Sequence, residues 1–319
     1  MNQDNTSYTT AWSFDGKTSS LSMTIKPLPS LKEDEVLVEN QAIGINPVDW
    51  KVIDNGSLAE KQIAGVDGAG IIKKVGSEKL NHLLNKRVAY HQDLNKDGSF
   101  AHCTILNASV LMPMPEELDF STAASLPCPL MTAWQAVEKI PSFPGKPVLV
   151  NGASGSVGRY LIQLLMNKGF VVSAIASEKR HNELKELGVD NLYPDLDSIN
   201  YESFYAAFDT KSVSSAEETS TKVKANGHLI PIQGRIEQPP FPAFGKCISL
   251  HEIALGALHK HGTKEDWMQL TLAASQLMEL IKRKEFTPNH FMTFPFSTLD
   301  KTLKEFKSDR KALKYVVTI

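Results

Sequence analysis

The apolar and polar positions of the first 125 residues change every few residues along the chain. Residues 35–39 alternate between polar and apolar side chains, and residues 70–75 and 86–90 form short, largely apolar runs. Alternation and short runs of this kind predict β-strands. Glycines and prolines separate the runs at short intervals, which predicts a compact, turn-rich barrel.

After Pro147 the pattern changes to apolar strands that alternate with amphipathic helices. Strands are predicted at 148–150, 170–175, 205–209 and 228–233. Helices are predicted at 157–168 and 181–187, where the glycines that follow end them. Strands and helices in this alternation predict a parallel, doubly wound sheet.

A longer helix is predicted to begin at Thr263, because Asp266 three residues on would complete a capping box. The apolar positions of this helix form one stripe, namely Trp267, Leu270, Ala274, Leu277 and Ile281. We interpret this stripe as core packing rather than as a binding surface. The chain ends in a predicted strand at 315–319.

Composition and charge restrict the class of protein. The chain has 319 residues and a formal net charge of −2, which predicts two domains and argues against a nucleic-acid binder. No apolar run approaches the roughly 18 residues that span a bilayer, and residues 1–10 lack the features of a signal peptide. The scattered cysteines Cys103, Cys128 and Cys247 favour reduced thiols. We therefore expect a cytoplasmic protein that acts on a small molecule, with no membrane or nucleic-acid partner.

Residues 148–158 contain the clearest chemical motif, a strand that runs into a glycine-rich turn and then a helix. Such a turn presents backbone N–H groups and the positive end of a helix to a pyrophosphate. Gly155 would allow the backbone to approach the ligand, and Gly158 would allow the helix to pack closely on the sheet. Ala153 stands where the dinucleotide fingerprint has its first glycine.

The end of the next strand indicates which dinucleotide is bound. An acidic residue there selects NAD by binding the ribose 2′-hydroxyl, whereas this chain has Ser177, Glu178, Lys179 and Arg180. A serine with two basic residues can bind and neutralise a 2′-phosphate. We predict NADP(H), with Glu178 as the contrary sign and an ordinary charged helix start as the alternative.

Ten segments spread in order along nearly the whole chain share a further pattern. They are GINPVDWK (44–51), AGVDGAG (64–70), KRVAY (86–90), DGSFA (97–101), AASLP (123–127), TAW (132–134), NGASGSVG (151–158), FDT (208–210), GHLI (227–230) and LHEIALG (250–256). Together they resemble the medium-chain dehydrogenase/reductase superfamily and, within it, the zinc-independent NADPH:quinone oxidoreductase branch.

The resemblance implies an α/β fold with two domains. A GroES-like β-barrel catalytic domain is expected at 1–125 and 288–319, and a Rossmann domain with a doubly wound parallel sheet at 126–287. The resemblance also implies ligands in the cleft between the domains and a homodimer formed through the edge of the Rossmann sheet, at residues 246–250.

The resemblance also implies where ligands bind. The substrate pocket is expected at Asn46, Asp49 and Met131. Cofactor-binding residues are expected at Asn46, Pro47, Thr132, Ala153, Ser154, Gly155, Ser156, Val157, Ser177, Lys179, Arg180, Asp209 and Gln233. Lys211 and Ser212 replace the glycine pair of the family, so the loop after Thr210 is expected to follow another path.

Zinc alcohol dehydrogenases of the same superfamily have ligands that this sequence lacks. They have a cysteine in the loop at 44–47 and a His–Glu pair where Val66 and Asp67 stand here. Catalytic zinc needs about three protein ligands, and no cysteine of this chain stands at a ligand position. His259 and His261 are expected to be solvated. We predict no zinc.

Without a metal Lewis acid, simple ketones and alcohols lose their usual activation, whereas quinones and α,β-unsaturated carbonyl compounds accept hydride readily. The leading hypothesis is an NADPH-dependent quinone or enone oxidoreductase. Tyr90 and His91 are candidate proton donors; in the alternative both residues only pack in the barrel and solvent supplies the proton. Two other functions stay open, a zinc-type alcohol dehydrogenase-like enzyme and a catalytically silent NADPH-binding protein.

Overall fold

The computed structural model of the protein describes residues 8–189, 191–200, 204–309 and 313–319. Its strands are β1 (Tyr8–Asp15), β2 (Ser20–Pro27), β3 (Glu35–Ile45), β4 (Asp67–Val75), β5 (Arg87–His91), β6 (Cys103–Asn107), β7 (Leu111–Pro113), β8 (Pro147–Asn151), β9 (Val171–Ile175), β10 (Asn191–Tyr193), β11 (Phe204–Asp209), β12 (Val223–Pro231), β13 (Ser249–Leu250), β14 (Phe291–Pro295) and β15 (Lys314–Thr318). Its α-helices are α1 (Pro47–Asp54), α2 (Phe120–Ala124), α3 (Pro127–Glu138), α4 (Ser156–Asn167), α5 (His181–Glu186), α6 (Val213–Thr219), α7 (Leu258–His261), α8 (Lys264–Lys282) and α9 (Leu299–Ser308).

The chain forms two compact units. The first comprises Met1–Cys128 and Gly256–Ile319, and the second comprises Pro129–Leu255. The sequence predicts domain boundaries at 125/126 and 287/288. The two divisions of the chain differ mainly at residues 256–287, which the structure groups with the first unit.

These residues lie in the first unit because α8 packs against the region around β7. Ser275 Oγ donates a hydrogen bond of 3.1 Å to the carbonyl oxygen of Pro113. Lys282 Nζ lies 2.6 Å from the carboxylate of Glu117. An apolar period of 3.6 residues predicts that one face of a helix is buried. It does not predict which part of the protein covers that face.

The first unit contains a sheet in the order β14-β15-β3-β4-β5-β7, with β6 also paired to β3, and a separate β1–β2 hairpin. Apart from the parallel β14–β15 pair, the ladders in this unit are antiparallel. The last strand pairs with β3, with Tyr315 opposite Ile45. The core beneath contains Ile43, Phe100 and Val317. The predicted β-rich fold of the first part of the chain is confirmed, and the last strand of the chain is one strand of its sheet.

The second unit contains a sheet in the order β10-β9-β8-β11-β12-β13, in which every ladder is parallel. The predicted parallel sheet is confirmed. Strand β12 begins five residues before the predicted position, because Val223 is already buried and pairs with Phe204. Among the described residues β13 forms the edge of this sheet, and it is shorter than the predicted strand at 246–250.

Helix α8 confirms the prediction made from its start and from its apolar stripe. Asp266 Oδ2 accepts a hydrogen bond of 2.7 Å from the backbone N–H of Thr263, and the Thr263 hydroxyl accepts one of 3.2 Å from the Asp266 N–H. All five residues of the predicted stripe are buried.

Within the described part of the chain, no helix combines the length and the apolar character that crossing a membrane requires.

Candidate functional site

The glycine turn, residues 152–155, joins the end of β8 to the start of α4 in the second unit. Gly152 has φ +74°, a conformation that glycine adopts without strain. Gly155 is the N-cap of α4, and no side chain caps the helix there. The turn therefore leads directly into the positive end of this helix, where an anion binds.

Two glycines in this region differ in how much space surrounds them. A Cβ on Gly158 would lie 2.6 Å from the Gly152 carbonyl oxygen and 2.7 Å from that of Ala153. A Cβ on Gly155 would meet only the Gly152 carbonyl oxygen, at 3.4 Å. Gly158 thus permits the packing of α4 on the turn, and Gly155 leaves the adjacent space open, as a cradle for a pyrophosphate requires.

Ala153 does not disturb the turn. Its side chain is fully buried, and its backbone N–H donates a hydrogen bond of 3.1 Å to the carbonyl oxygen of Ile175 at the end of β9. Ser154, Gly155, Ser156 and Val157 are partly exposed. The turn therefore fits a dinucleotide pyrophosphate.

The predicted 2′-phosphate residues lie at the same edge of the sheet as the glycine turn, because β8 and β9 run parallel with Asn151 opposite Ile175. Ser177 and Lys179 are exposed. Arg180 forms an ion pair of 2.6 Å with Glu183, three residues later. Ser177 and Lys179 thus have the placement that the prediction requires, and the Arg180 guanidinium is shared with a neighbouring carboxylate.

Asp209 does not have the exposure that a cofactor-binding residue requires. It is fully buried, and its Oδ2 accepts hydrogen bonds from Asn151 Nδ2 (2.9 Å), Ser215 Oγ (2.8 Å) and Thr219 Oγ1 (2.9 Å). Its Oδ1 accepts one of 2.9 Å from the N–H of Lys211. The prediction for Asp209 is corrected, because its carboxylate joins β8, β11 and α6 inside the second unit.

Three further predicted positions lie in the second unit. Thr132 is half-buried in α3, and Gln233 is exposed shortly after β12. Met131 is fully buried. That Met131 lines the substrate pocket stays a prediction.

The first unit contains a buried polar group that we call the Asn46 cluster, formed by Asn46, Asp49, Asp67 and Lys314. Asn46 Nδ2 donates a hydrogen bond of 2.8 Å to Asp67 Oδ2, and Lys314 Nζ donates one to Asn46 Oδ1. Lys314 Nζ also lies 3.7 Å from Asp67 Oδ2, and its side chain is only 2% exposed. The orientation of the Asn46 amide is thus set by a carboxylate on one side and an ammonium on the other.

Asp49 has a structural place in the Asn46 cluster rather than a place in a pocket. It is fully buried in the first turn of α1, and its Oδ2 accepts a hydrogen bond of 2.7 Å from the Asn46 N–H. The predicted substrate contact of Asp49 is corrected, and its capping role explains why Asn46 and Pro47 are held at the start of this helix.

Burial dominates the electrostatics of both carboxyls. It raises the pKa of Asp49 to about 7, against the hydrogen bond from Asn46, and the nearby Asp67 raises it further. Burial likewise raises the pKa of Asp67 to about 6, although the Lys314 charge and hydrogen bonds from Cys128 and Asn46 act in the opposite direction. The neighbouring Lys314 cation and these two hydrogen bonds together favour the carboxylate form of Asp67.

The donor set around Asp67 does not fit catalytic zinc. The groups that contact its Oδ2 are an amide N–H₂, a backbone N–H and an ammonium, all of which donate hydrogen bonds. Asp67 Oδ1 has no partner among the described residues, so it is the one oxygen of this carboxylate that could bind a metal ion. Catalytic zinc needs about three protein ligands. In the described ranges no three His, Cys, Asp or Glu residues are grouped to hold a metal ion.

Tyr90 lies inside the barrel. Its side chain is 0% exposed, and its hydroxyl lies 2.7 Å from Asn40 Oδ1 and 3.0 Å from Thr104 Oγ1. Burial raises the pKa of Tyr90 well above its ordinary value. These contacts correct the expectation that Tyr90 supplies a proton to substrate, since its hydroxyl is buried and bound on both sides.

His91 is also buried, but its ring contacts another titratable ring. His91 Nδ1 lies 3.1 Å from His259 Nε2, and the two rings are stacked with centroids 5.4 Å apart. His259 in turn contacts the ring of Trp267, at 4.8 Å between centroids. His259 is half-buried rather than fully solvated as expected, because α7 and α8 bring it onto β5; His261 is exposed as expected.

Sequence reasoning missed Lys314 altogether and gave His259 no role. The one signal for Lys314 was a lysine directly before the apolar run at 315–317, where a strand was predicted. Its partners lie some 250 residues earlier in the chain, so nothing local identifies them.

Comparisons with known proteins agree with this architecture. The family model of the alcohol dehydrogenase GroES-like domain matches residues 32–116. The chain is also similar over 98% of its length to the solved structure of an alcohol dehydrogenase superfamily protein from Novosphingobium aromaticivorans, covering 99% of that chain at 21% identity with a TM-score of 0.83. At this identity the likeness establishes the fold.

Three curated proteins are related in sequence. The 2-methylene-furan-3-one reductase of Solanum lycopersicum is 31% identical over 67% of this chain and 58% of its own length. The chloroplastic NADPH-dependent alkenal/one oxidoreductase of Arabidopsis thaliana is 28% identical over 67% of this chain and 59% of its own length. A zinc-type alcohol dehydrogenase-like protein of Schizosaccharomyces pombe is 27% identical over 92% of this chain and 94% of its own length. The matches to both plant proteins thus span less than two thirds of those proteins.

The chain contains an alcohol dehydrogenase GroES-like domain. In fold and in sequence it is similar to proteins of the medium-chain dehydrogenase/reductase superfamily, among them relatives that are named as reductases or oxidoreductases.

Proposed function

We propose that the protein reduces quinones or α,β-unsaturated carbonyl compounds with NADPH and without zinc. The observation that carries the proposal is the buried Lys314 ammonium, which contacts both Asn46 and Asp67. Asp67 and the loop of Asn46 are the positions where zinc-dependent members are expected to hold their metal. A protein cation at this place supports a reaction that needs no metal Lewis acid.

The chemistry of the acceptor follows from that premise. A simple ketone needs electrophilic activation of its carbonyl before it accepts hydride, whereas a conjugated acceptor delocalises the added electrons. The names of the two plant relatives describe substrates of this class, a methylene furanone and alkenals or alkenones. Both points favour an enone or quinone as substrate of this chain.

The cofactor would bind at the parallel sheet of the second unit. When bound, NADPH supplies the hydride. The turn and helix start at Ser154 to Val157 would hold its pyrophosphate, and Ser177 with Lys179 would bind its 2′-phosphate. The exposure of these residues supports this assignment.

The test is a screen of NADPH oxidation with quinones, enones, enals and enoyl thioesters, with simple ketones and alcohol oxidation as controls. Zinc content is measured on the same sample by mass spectrometry. We expect turnover with conjugated acceptors only, less than about 0.1 zinc per chain, and a preference for NADPH over NADH.

Each other outcome identifies an alternative. Stoichiometric zinc, with activity that a chelator abolishes, would overturn the proposal in favour of a zinc-type alcohol dehydrogenase. Tight NADPH binding without oxidation by any acceptor would overturn it in favour of a silent NADPH-binding protein.

A further inference from the structure

Two histidines that lie 168 positions apart in the sequence share a hydrogen bond within the first unit. His91 Nδ1 and His259 Nε2 are 3.1 Å apart, and the ring planes are inclined by only 20°. A nitrogen–nitrogen contact at this distance requires one ring to donate N–H and the other to accept it.

The pair begins beside the Asn46 cluster. His91 is the last residue of β5, and its Cα lies opposite that of Asp67 on β4. His91 is only 4% exposed, whereas His259 is half-buried in α7. The two rings therefore form a polar connection from the neighbourhood of Asn46 and Asp67 to a residue that reaches solvent.

Burial keeps both rings neutral near pH 7. Burial lowers the pKa of His91 to about 3, and repulsion from His259 and Lys314 lowers it further. Burial also lowers the pKa of His259. The negative charge of Asp93 opposes this shift, and the positive charge of Lys96 adds to it. Trp267 of α8, which packs on His259, contributes no charge. A neutral pair can pass a proton from one ring to the next without either ring holding a full charge.

We propose that His91 and His259 form a proton relay that completes the reduction, with His91 as the group nearest the substrate and His259 as its proton source. This inference rests on the proposed function. In the overall reaction an enone, NADPH and one proton give the saturated carbonyl compound and NADP⁺.

The proton balance of the relay is as follows. The β-carbon of the enone gains a hydride with its two electrons, and the electrons of the C=C bond move onto the carbonyl to leave an enolate. The N–H bond at His91 Nε2 breaks as a C–H bond forms at the α-carbon. The proton on His259 Nε2 moves to His91 Nδ1. Solvent supplies the one proton of the overall reaction to His259 Nδ1, either from hydronium or from water with release of hydroxide. Exchange with water then restores the starting tautomers.

The test uses the full chain and an enone that the wild-type protein reduces in the screen. His259→Gln keeps an N–H that can hold the His91 ring but cannot pass a proton onward, and His259→Phe keeps the ring on Trp267 without nitrogen. His261→Phe, two residues away and exposed, is the matched control. For each variant we would measure NADPH affinity by fluorescence, thermal unfolding, kcat between pH 6 and 9, and the ratio of kcat in H₂O and D₂O.

We expect both His259 variants to lower kcat by about tenfold or more, with a larger solvent isotope effect and partial recovery in added imidazole. NADPH affinity should change by less than about twofold, and His261→Phe should resemble the wild type. Should His259→Gln retain full kcat with an unchanged isotope effect, the relay is refuted even if His259→Phe fails to fold. Should the wild type oxidise no NADPH with any acceptor, the proposed function itself fails, and the relay with it.

Discussion

Lys314 places a positive charge in the interior of the first unit, a position where lysine is rare. Its ammonium has Asn46 Oδ1 and Asp67 Oδ2 as neighbours, so the cost of burying each charge is offset by the other. Because Lys314 begins the last strand and Asn46 follows β3, this contact also connects the end of the chain to the loop expected at the nicotinamide.

Replacing Lys314 should therefore lower the stability of the protein. Lys314→Met leaves the Asp67 carboxylate buried without a cation, and we expect it to lower the free energy of unfolding by about 3–5 kcal/mol at pH 8. The measurement is urea denaturation. The double variant Lys314→Met with Asp67→Asn removes both charges and should recover part of the loss. Equal losses in the single and double variants would show that the ion pair does not contribute to stability.

Asp49 should make stability depend on pH in an unusual direction. Its folded-state pKa of about 7 lies above the value of about 3.9 in an unfolded chain. The stabilisation from its protonated form is therefore complete below about pH 4 and is lost as the pH rises through 7. Asp49→Asn does not titrate, so between pH 5 and 8 the wild type should lose about 1–3 kcal/mol of unfolding free energy relative to this variant.

Asp195→Asn is the control for this measurement. Hydrogen bonds from Ser198 lower the pKa of Asp195, which is exposed. The contribution of Asp195 to stability is lost only as the pH falls through its folded-state pKa. Between pH 5 and 8 the unfolding free energy of Asp195→Asn should therefore change with pH as that of the wild type does. A constant difference between Asp49→Asn and wild type over this range would contradict the raised pKa.

At the residue scale, the sequence identified polar residues of the right types but did not assign their partners. The sequence predicts roles at the ligands for Asp49, Tyr90 and Asp209, and each of the three is buried and hydrogen-bonded within its own unit. A carboxylate that caps a helix and one that meets a ligand look the same in a sequence, because the difference lies in which groups the fold brings around them.

At the scale of elements, the connection from β8 to α4 shows how a local motif specifies a site. The strand, the turn with its positive φ at Gly152 and the uncapped helix start all follow from residues 147–158. The motif was predictable because its parts are neighbours in the chain.

The two glycines next to this turn should separate folding from binding. Gly158→Ala places a Cβ within 2.7 Å of two carbonyl oxygens and should destabilise the protein by about 1–3 kcal/mol. Gly155→Ala meets only one oxygen, at 3.4 Å, and should cost about 1 kcal/mol or less. Its methyl group would nevertheless stand where the pyrophosphate approaches, so NADPH affinity should fall about tenfold or more.

Thermal unfolding and NADPH titration of both variants make this comparison. If Gly155→Ala binds NADPH as the wild type does, the glycine turn is not the pyrophosphate site.

At the scale of the whole molecule, β13 is one of the two edge strands of the parallel sheet among the described residues, the other being β10. The His251 N–H donates to Leu229 on β12, so by alternation the Leu250 N–H points away from the sheet. We expect a homodimer in which this N–H pairs with a second copy of the chain. Light scattering on a sizing column should give twice the mass of 35.2 kDa.

Leu250→Pro removes that N–H and should yield a monomer, whereas Leu250→Ala keeps it and controls for the loss of the side chain. A monomeric wild type, or a Leu250→Pro variant that remains dimeric, would contradict pairing through this edge.

The sequence by itself determined the kinds of elements, the parallel sheet with its glycine turn, and the start and buried stripe of α8. These depend on hydrophobic period, helix caps and turn residues within a few positions of one another. The tertiary structure alone decided that α8 packs on the first unit, that Lys314 meets Asn46 and Asp67, and that His259 meets His91. Each of these contacts joins residues more than 150 positions apart, and its geometry depends on how the strands are ordered in space, which no local pattern records.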